Sequence, residues 1–419
     1  MPSSPRRETS YCLSSANRTV LPARWIAIGV FALYSGFNYL DRQILAALGP
    51  QIKTEFGLTN EDYGWLQSAF FLAYALCAPF VGLWIDRVGL TRGAILTIAA
   101  WSLAGTASGF VAGFTGLMLC RVLLGIAQAG AIPAFGKASA TYLEPRERAL
   151  GSGVGQLGIS LGSMGAPLLA GWVAAVFGWR AAFIVTGLAG LIWIPIWRMA
   201  EPPPIRDASA KPAITPPSPA EMMRDPRLWA LAGGNILIMT VYSLWTNWTT
   251  IFLVEQFHLT QLEANSRYAW IPPVLAIFGG LFGGWLAMKW MQAGASVMQA
   301  RSRTILASTT AILVTLAVPY MPGPGWATAM VSLSFFWSVA ASANVYALPQ
   351  DMFGPGRAAF AISAITFSFG LMLVFYSPLV GWLVDWFSFT PVCLLSAFLP
   401  LAGWLLIRIA TNRTFEIHA

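Results

Sequence analysis

The stretch "EPPPIRDASAKPAITPPSPAEMMRDP", residues 201–226, decides how this chain is organised. It is rich in Pro, Ser and charge and has little apolar surface to bury, so it reads as an exposed linker. Six apolar runs precede it, at 24–48, 62–84, 93–112, 114–137, 149–176 and 180–200. Six more follow, at 227–255, 267–289, 303–320, 325–347, 357–386 and 388–410. Each is long enough to cross about 30 Å of hydrocarbon as a helix of about 20 residues. The expected fold is an all-α membrane protein with twelve transmembrane helices in two pseudo-symmetric six-helix bundles. The implied domains are an N-terminal tail (1–23), a first bundle (24–200), the linker (201–226), a second bundle (227–410) and a C-terminal tail (411–419).

Composition agrees with this reading. Hydrophobic residues make up 57% of the chain and charged residues only 10%, against about 25% charged in a soluble domain. The runs are too continuous for barrel strands of alternating polarity. The net charge of +8 does not indicate nucleic acid, because the basic residues lie in short loops between apolar runs. With both termini in the cytoplasm, 19 of the 25 Lys and Arg residues fall on the cytoplasmic side, including Arg6, Arg7, Arg87, Arg92, Arg146, Arg148, Arg301 and Arg303. That bias sets the orientation, and a multi-pass protein of the inner cell membrane is expected. Cys12, Cys77, Cys120 and Cys393 show no paired spacing and read as packing residues. Trp25 to Leu48 is too long for a signal peptide.

The halves resemble each other. Pro167, Gly171 and Trp172 of "GAPLLAGWVAAVFGW" recur as Pro378, Gly381 and Trp382 of "YSPLVGWLVDWF", and Arg148-Ala149 recurs as Arg357-Ala358. A repeated six-helix half is the construction of many secondary transporters, with the substrate site between the halves near the midplane.

Charges inside the first bundle carry the functional reading. "NYLDRQ" (38–43) places Asp41 and Arg42 side by side in an apolar run, where isolated charge is costly. Arg42 and Arg121 each fall about seven residues from the outer end of their helices, or roughly 10 Å deep at 1.5 Å per residue. Two guanidiniums at one level would form a fork-geometry site for carboxylate. Asp41 points about 100° away from Arg42 on a helix. It is expected near Arg121 when the site is empty, so that an anion drawing Arg121 away couples binding to protonation of Asp41. Polarity also nominates Asn247, Asn344 and Tyr376. Lys137 is expected to snorkel to the interface, and Glu255, Glu263 and Asp385 to be solvated near outer ends.

Several motifs resemble a known family. "GLWIDRVGLTRG" (82–93) is similar to the loop signature of the major facilitator superfamily, through Gly82, Asp86, Arg87, Gly89 and Arg92. With "RVLLGIAQAGAIPAFGKASATYLEPRERALGSG" (121–153), "GWRAAFIVTGLAG" (178–190), "YSLWTNWTTIFL" (242–253) and "ALPQDMFGPGRAAF" (347–360), the chain resembles the anion:cation symporter family, and within it the hexuronate and other sugar-acid transporters. The resemblance implies a gating role for the 82–93 loop and substrate contacts from Tyr39, Arg42, Tyr74, Arg121 and Gln156. In that family a second acid often stands where this chain has Gln128, which could bond a sugar hydroxyl but cannot carry a proton. The implied function is import of a small organic anion, a hexuronate or aldonate, by proton symport with Asp41 as the proton carrier.

The alternatives are an exchanger or uniporter without proton coupling, or a drug or cation antiporter, which the Gly- and Pro-rich "GISLGSMGAP" (158–167) distantly suggests. No His cluster, catalytic carboxylate pair, nucleophile motif or nucleotide loop indicates an enzyme, and no metal or cofactor is expected. The expected partners are the anion, a proton and the bilayer, with no nucleic acid, and the expected unit is a monomer.

Overall fold

The computed structural model describes residues 15–144, 147–203, 219–353 and 355–418. The expected tail and linker segments at 1–14, 204–218 and 419, together with Arg6, Arg7, Cys12 and Arg146, lie outside the described residues. The first half comprises α1 (Ser15–Phe56), α2 (Asn60–Val88), α3 (Leu90–Ser108), α4 (Phe114–Gln128), α5 (Ala131–Tyr142), α6 (Arg148–Phe177), α7 (Trp179–Leu191) and α8 (Trp193–Ala200). After α9 (Pro219–Arg224), the second half runs through α10 (Pro226–Phe257), α11 (Gln261–Glu263), a π-helical turn (Ala264–Ala269), α12 (Ile271–Gln292), α13 (Val297–Ala311) and a 3-10 segment (Ile312–Tyr320). It closes with α14 (Pro324–Val345), α15 (Leu348–Phe353), α16 (Pro355–Phe387) and α17 (Phe389–His418).

Among the described residues, ten helical stretches are long and apolar enough to cross a membrane. The two long helices outside that set are α1 and α3. Their residues explain why. α1 interrupts its apolar run with Asn38, Asp41, Arg42 and Gln43, and α3 is short, at 19 residues, and carries Arg92 near its start. α1 also extends well past the expected 24–48, reaching Phe56. Near that end the Trp179 indole N–H and the Arg180 guanidinium bond Glu55 and hold its carboxyl below the usual carboxylate range.

Pairings repeat between the halves: α2 packs on α4 and α12 on α14, while α3 packs on α7 and the 3-10 segment on α17. Small residues make these contacts close, since apolar surface gains little by leaving lipid and van der Waals approach must serve instead. At the α1–α6 crossing a Cβ on Gly158 would lie 2.0 Å from the Ala32 carbonyl oxygen, and one on Gly162 would lie 2.1 Å from that of Gly36. Gly158→Val therefore forces two backbones apart and should cost about 1–3 kcal/mol or more. Thermal unfolding in detergent checks this against Gly153→Val, where an added Cβ meets nothing within 4 Å. Equal melting temperatures for the two variants would reject the packing argument.

The halves are sealed against each other at one end. There the start of α2 lies on the last turns of α16, and a Cβ on Gly64 would meet the Ser377 carbonyl oxygen at 2.5 Å. Asp385 accepts from the backbone N–H groups of Asn60 and Glu61, both at 2.9 Å, so a carboxylate of one half caps a helix start of the other. Lys53 pairs with Glu255 at 2.5 Å and also bonds Asn60. Asn265 donates to the Ala47 carbonyl at 2.8 Å, and Gln261 accepts from the Gln51 N–H at 3.0 Å. Glu255 and Asp385 are exposed, as expected of solvated residues, and they also join the two halves. The close α2–α16 approach continues to Ala75 and Gly370. Beyond it, Leu76, Phe80 and Leu83 of α2 are exposed.

Candidate functional site

The site forms where α1, α2 and α4 meet above the seal. Tyr39 and Arg42 are three residues apart on α1, hence on one face. On α2 the residues Tyr63, Gln67, Phe70 and Tyr74 fall at helical spacing and make a second stripe. The Arg42 guanidinium carbon lies 4.6 Å from the Tyr39 ring centroid and 5.0 Å from those of Phe70 and Tyr74. Its polar partners are neutral amides: Nε donates to Gln128 Oε1 at 3.3 Å and Nη2 to Asn38 Oδ1 at 3.2 Å. An aromatic cage with neutral acceptors holds the guanidinium in place without cancelling its charge.

Arg121 lies behind this cage. Its guanidinium carbon lies 4.8 Å from the Phe70 ring centroid, so one ring serves both cations. Arg121 is fully buried, whereas Arg42 keeps 9% exposure. Nη2 of Arg121 donates to Gln67 Oε1 at 3.1 Å, while Nε and Nη1 have no partner among the described residues. Gly125, one turn along α4, lets that helix close on α2: a Cβ there would sit 2.4 Å from the Phe70 carbonyl oxygen. Gln128 is likewise fully buried. It accepts from Arg42 and donates to the Asn38 carbonyl at 3.1 Å, so it fixes the position of Arg42.

Asp41 takes a different place from the one expected. Its carboxylate faces α3 and α7, beside Gly105 and Thr186, and among the described residues neither oxygen makes a well-formed hydrogen bond, the Thr186 hydroxyl being the donor within reach. The neighbouring Thr186 hydroxyl donates to the Ala182 and Phe183 carbonyls instead. Arg121 bonds Gln67 in this state, because Asp41 projects from the opposite side of α1 from the aromatic cage. Asp41 is 3% exposed, and a Cβ added to Gly105 would lie 4.0 Å from its carboxyl carbon, an ordinary contact distance.

The other nominated residues divide. Gln156 is exposed on α6. Asn247 lies in the seal, its carbonyl accepting from the Tyr63 hydroxyl at 2.8 Å. Asn344 joins α14 to α12 by donating to the Gly283 carbonyl at 3.1 Å, and the Tyr376 hydroxyl bonds Ser396 of α17 at 2.7 Å. Asn344 and Tyr376 are thus tied into helix contacts of the second half rather than gathered around Arg42. In the 82–93 loop, Gly89 takes φ +92° between α2 and α3, a conformation that suits glycine. Asp86 pairs not with Arg87 or Arg92 but with Lys137, at 3.1 Å, and Lys137 also donates to the Ile85 carbonyl at 3.0 Å. Lys137 therefore binds the exposed end of α2.

Sequence reasoning missed Asn38, Gln67, Phe70 and Tyr63, all uncharged. The polar and aromatic stripe on α2 was the signal available for three of them. It also missed Tyr242 and Thr246, on α10 of the second half. Tyr242 lies within electrostatic reach of Arg42 and Tyr39 and packs on Phe335 at 4.9 Å, opposite the cage.

Residues 31–375 match the family model of the Major Facilitator Superfamily. The chain belongs to that superfamily. Its members are transporters, which makes this a multi-pass membrane transporter and not an enzyme. The superfamily chain is similar to the hexuronate transporter of Escherichia coli (strain K12), at 25% identity over 93% of this chain and 94% of the relative. It is also similar to the D-galactonate transporter of Escherichia coli O6:H1, at 27% identity over 88% of this chain and 90% of that one. Among solved structures, a bacterial homolog of the human lysosomal transporter Spinster, in an inward-facing and occupied conformation, superposes with a TM-score of 0.74. That match has 20% identity and covers 94% of this chain and 97% of the other. At that identity it speaks to the fold alone.

Proposed function

We propose that this superfamily member imports a small organic anion, a sugar acid of the hexuronate or aldonate class, by proton symport with alternating access. The observation that carries the reading is Arg42, a guanidinium held by three aromatic rings and two neutral amides, with no carboxylate among the described residues bonded to it. A cation so placed is completed by an anionic ligand. Tyr39 and Tyr74 beside it, and Tyr242 and Thr246 across from it, offer hydroxyls to a polyhydroxylated acid. The likeness to hexuronate and galactonate transporters over most of the chain supports the same substrate class.

In this reading the chain crosses the inner membrane twelve times with both termini cytoplasmic, and it works as a monomer. The sealed end faces outward, and the 82–93 loop with Lys137 guards the cytoplasmic end. Asp41, buried with little more than the Thr186 hydroxyl in reach, takes up the proton, because a poorly compensated buried charge is expensive. Uptake into proteoliposomes of hexuronates, aldonates and simple monocarboxylates, with and without an inward proton gradient, tests the proposal. Transport of cationic drugs but of none of the acids would reject it.

One observation favours a second reading, an anion exchanger or uniporter. Gln128 places a neutral amide against Arg42 where the resembled family often has a second acid. Gln128→Glu tests whether position 128 lies in the site. Ionised, the new carboxylate would sit beside Arg42 and compete with the substrate, weakening affinity about tenfold. Protonated, it would not. Affinity in this variant should therefore rise as pH falls, and titration calorimetry across the acidic to neutral range checks it. A profile identical to that of the parent chain would remove Gln128 from the site.

A further inference from the structure

The seal and the buried arginine are joined by a chain of hydrogen bonds whose direction is fixed by chemistry. Arg121 has only donors, so Gln67 must meet it with Oε1, at 3.1 Å. The Gln67 amide nitrogen then faces the Tyr63 hydroxyl and donates to it, at 2.8 Å. The Tyr63 proton is left for the Asn247 carbonyl of α10, which can only accept, also at 2.8 Å. Tyr63 is fully buried and Gln67 1% exposed, so water does not substitute for any link. Tyr63 also sets its ring edge against Trp248, 5.0 Å between centroids, on the far half of the protein. One residue beyond Gln67, Ser68 bonds the Val374 carbonyl of α16.

We infer that Gln67 and Tyr63 are positioning residues that tie the state of the Arg121 guanidinium to closure of the sealed end. This rests on the anion-transport reading for its trigger and deepens it. A substrate carboxylate reaching Arg121 forms a charge-assisted bond stronger than the one from a neutral amide. Gln67, released from Arg121, no longer presents its N–H to Tyr63, and the Tyr63–Asn247 bond across the halves loses its support. The sealed end then opens more readily with anion bound than without it. Each link is worth little alone, but the links are in series, so cutting any one releases the same contact.

The test uses the full chain in intact cells, with Ser377→Cys as reporter. Ser377 is fully buried beside Gly64 in the seal, and its labelling by a membrane-impermeant maleimide added from outside reads opening of that end. The same chain without the reporter gives the background from Cys12, Cys77, Cys120 and Cys393. Tyr63→Phe keeps the ring and deletes the relay proton, and Gln67→Leu deletes the middle link. Each should raise labelling about three- to tenfold, and the double variant should match the single ones. Independent, multiplying effects would overturn the relay, and so would an unchanged rate in Tyr63→Phe.

Gln67→Glu supplies a contrast that a merely structural role would not produce. Its carboxylate still accepts from Arg121 but cannot donate, so the Tyr63 proton turns toward it and away from Asn247. Labelling should rise as in Tyr63→Phe. Binding of galactonate or glucuronate, measured on the purified protein, should fall about tenfold in Gln67→Glu, where the new charge occupies Arg121, and stay within a factor of three in Tyr63→Phe. Equal loss in both variants would overturn the proposal. If neither acid binds the parent chain, the sugar-acid reading fails, while the labelling of the double variant still decides for or against the relay.

Discussion

Arg42→Gln abolishes sugar-acid uptake in the reading developed above, with substrate affinity falling by two orders of magnitude or more. The glutamine removes the charge on which a carboxylate would dock. Truncating one side of a desolvated charge pair typically costs 2–5 kcal/mol or more, and about 2.8 kcal/mol is already a hundredfold. The protein itself should tolerate the change well, because the partners left behind are the neutral amides of Asn38 and Gln128 and not a stranded carboxylate. Arg42→Lys should recover only part of the loss: it restores the charge but not the planar fork or its stacking on Tyr39, Phe70 and Tyr74. Calorimetric affinity and initial uptake rates for the three proteins make the comparison. An Arg42→Gln protein that binds the acids within a factor of three of the parent would sink the site.

The second large effect is a split between two kinds of transport. Asp41→Asn should abolish accumulation driven by a proton gradient while leaving exchange of labelled for unlabelled anion within a few-fold of the parent rate. The amide has the shape of the protonated acid, so the tight packing near Gly105 and Gly187 is preserved. The removed function is the ability to gain and lose a proton. Exchange does not require that step, because the carrier returns loaded. Asp41 lies away from Arg42, toward Thr186, which is why coupling and binding can be separated by mutation. Equal loss of both activities would show that Asp41 is structural.

Much of the helical architecture was legible in the sequence, because long apolar runs and charged connectors depend on local composition. Arg42 and Arg121 stood out for a related reason: charge within a long apolar run is conspicuous in the sequence. What was illegible depends on contacts between distant segments. Lys137 finds Asp86 across 51 positions of sequence, and Asp385 finds the start of α2 across more than three hundred. A polar residue in an apolar run also does not declare whether it faces a cavity or a neighbouring helix. Tyr376 and Asn344 turned to neighbours, while Gln67, unremarked between Leu66 and Ser68, turned to Arg121. Asp41 and Arg42 showed the same limit. Their divergence around α1 could be foreseen, but not the helices each would meet.

The neutral Gln128 has an electrical consequence. If Asp41 alone carries protons, one proton enters with each singly charged acid, and the loaded cycle moves no net charge. Membrane voltage then neither drives nor opposes entry, and the limit on accumulation is set by the pH difference alone, about tenfold per pH unit. A carrier with an acid at position 128 could take a second proton and draw on the voltage as well. Held between Arg42 and the Asn38 carbonyl, Gln128 would leave this protein a shallower concentrator that operates equally well on a depolarised membrane.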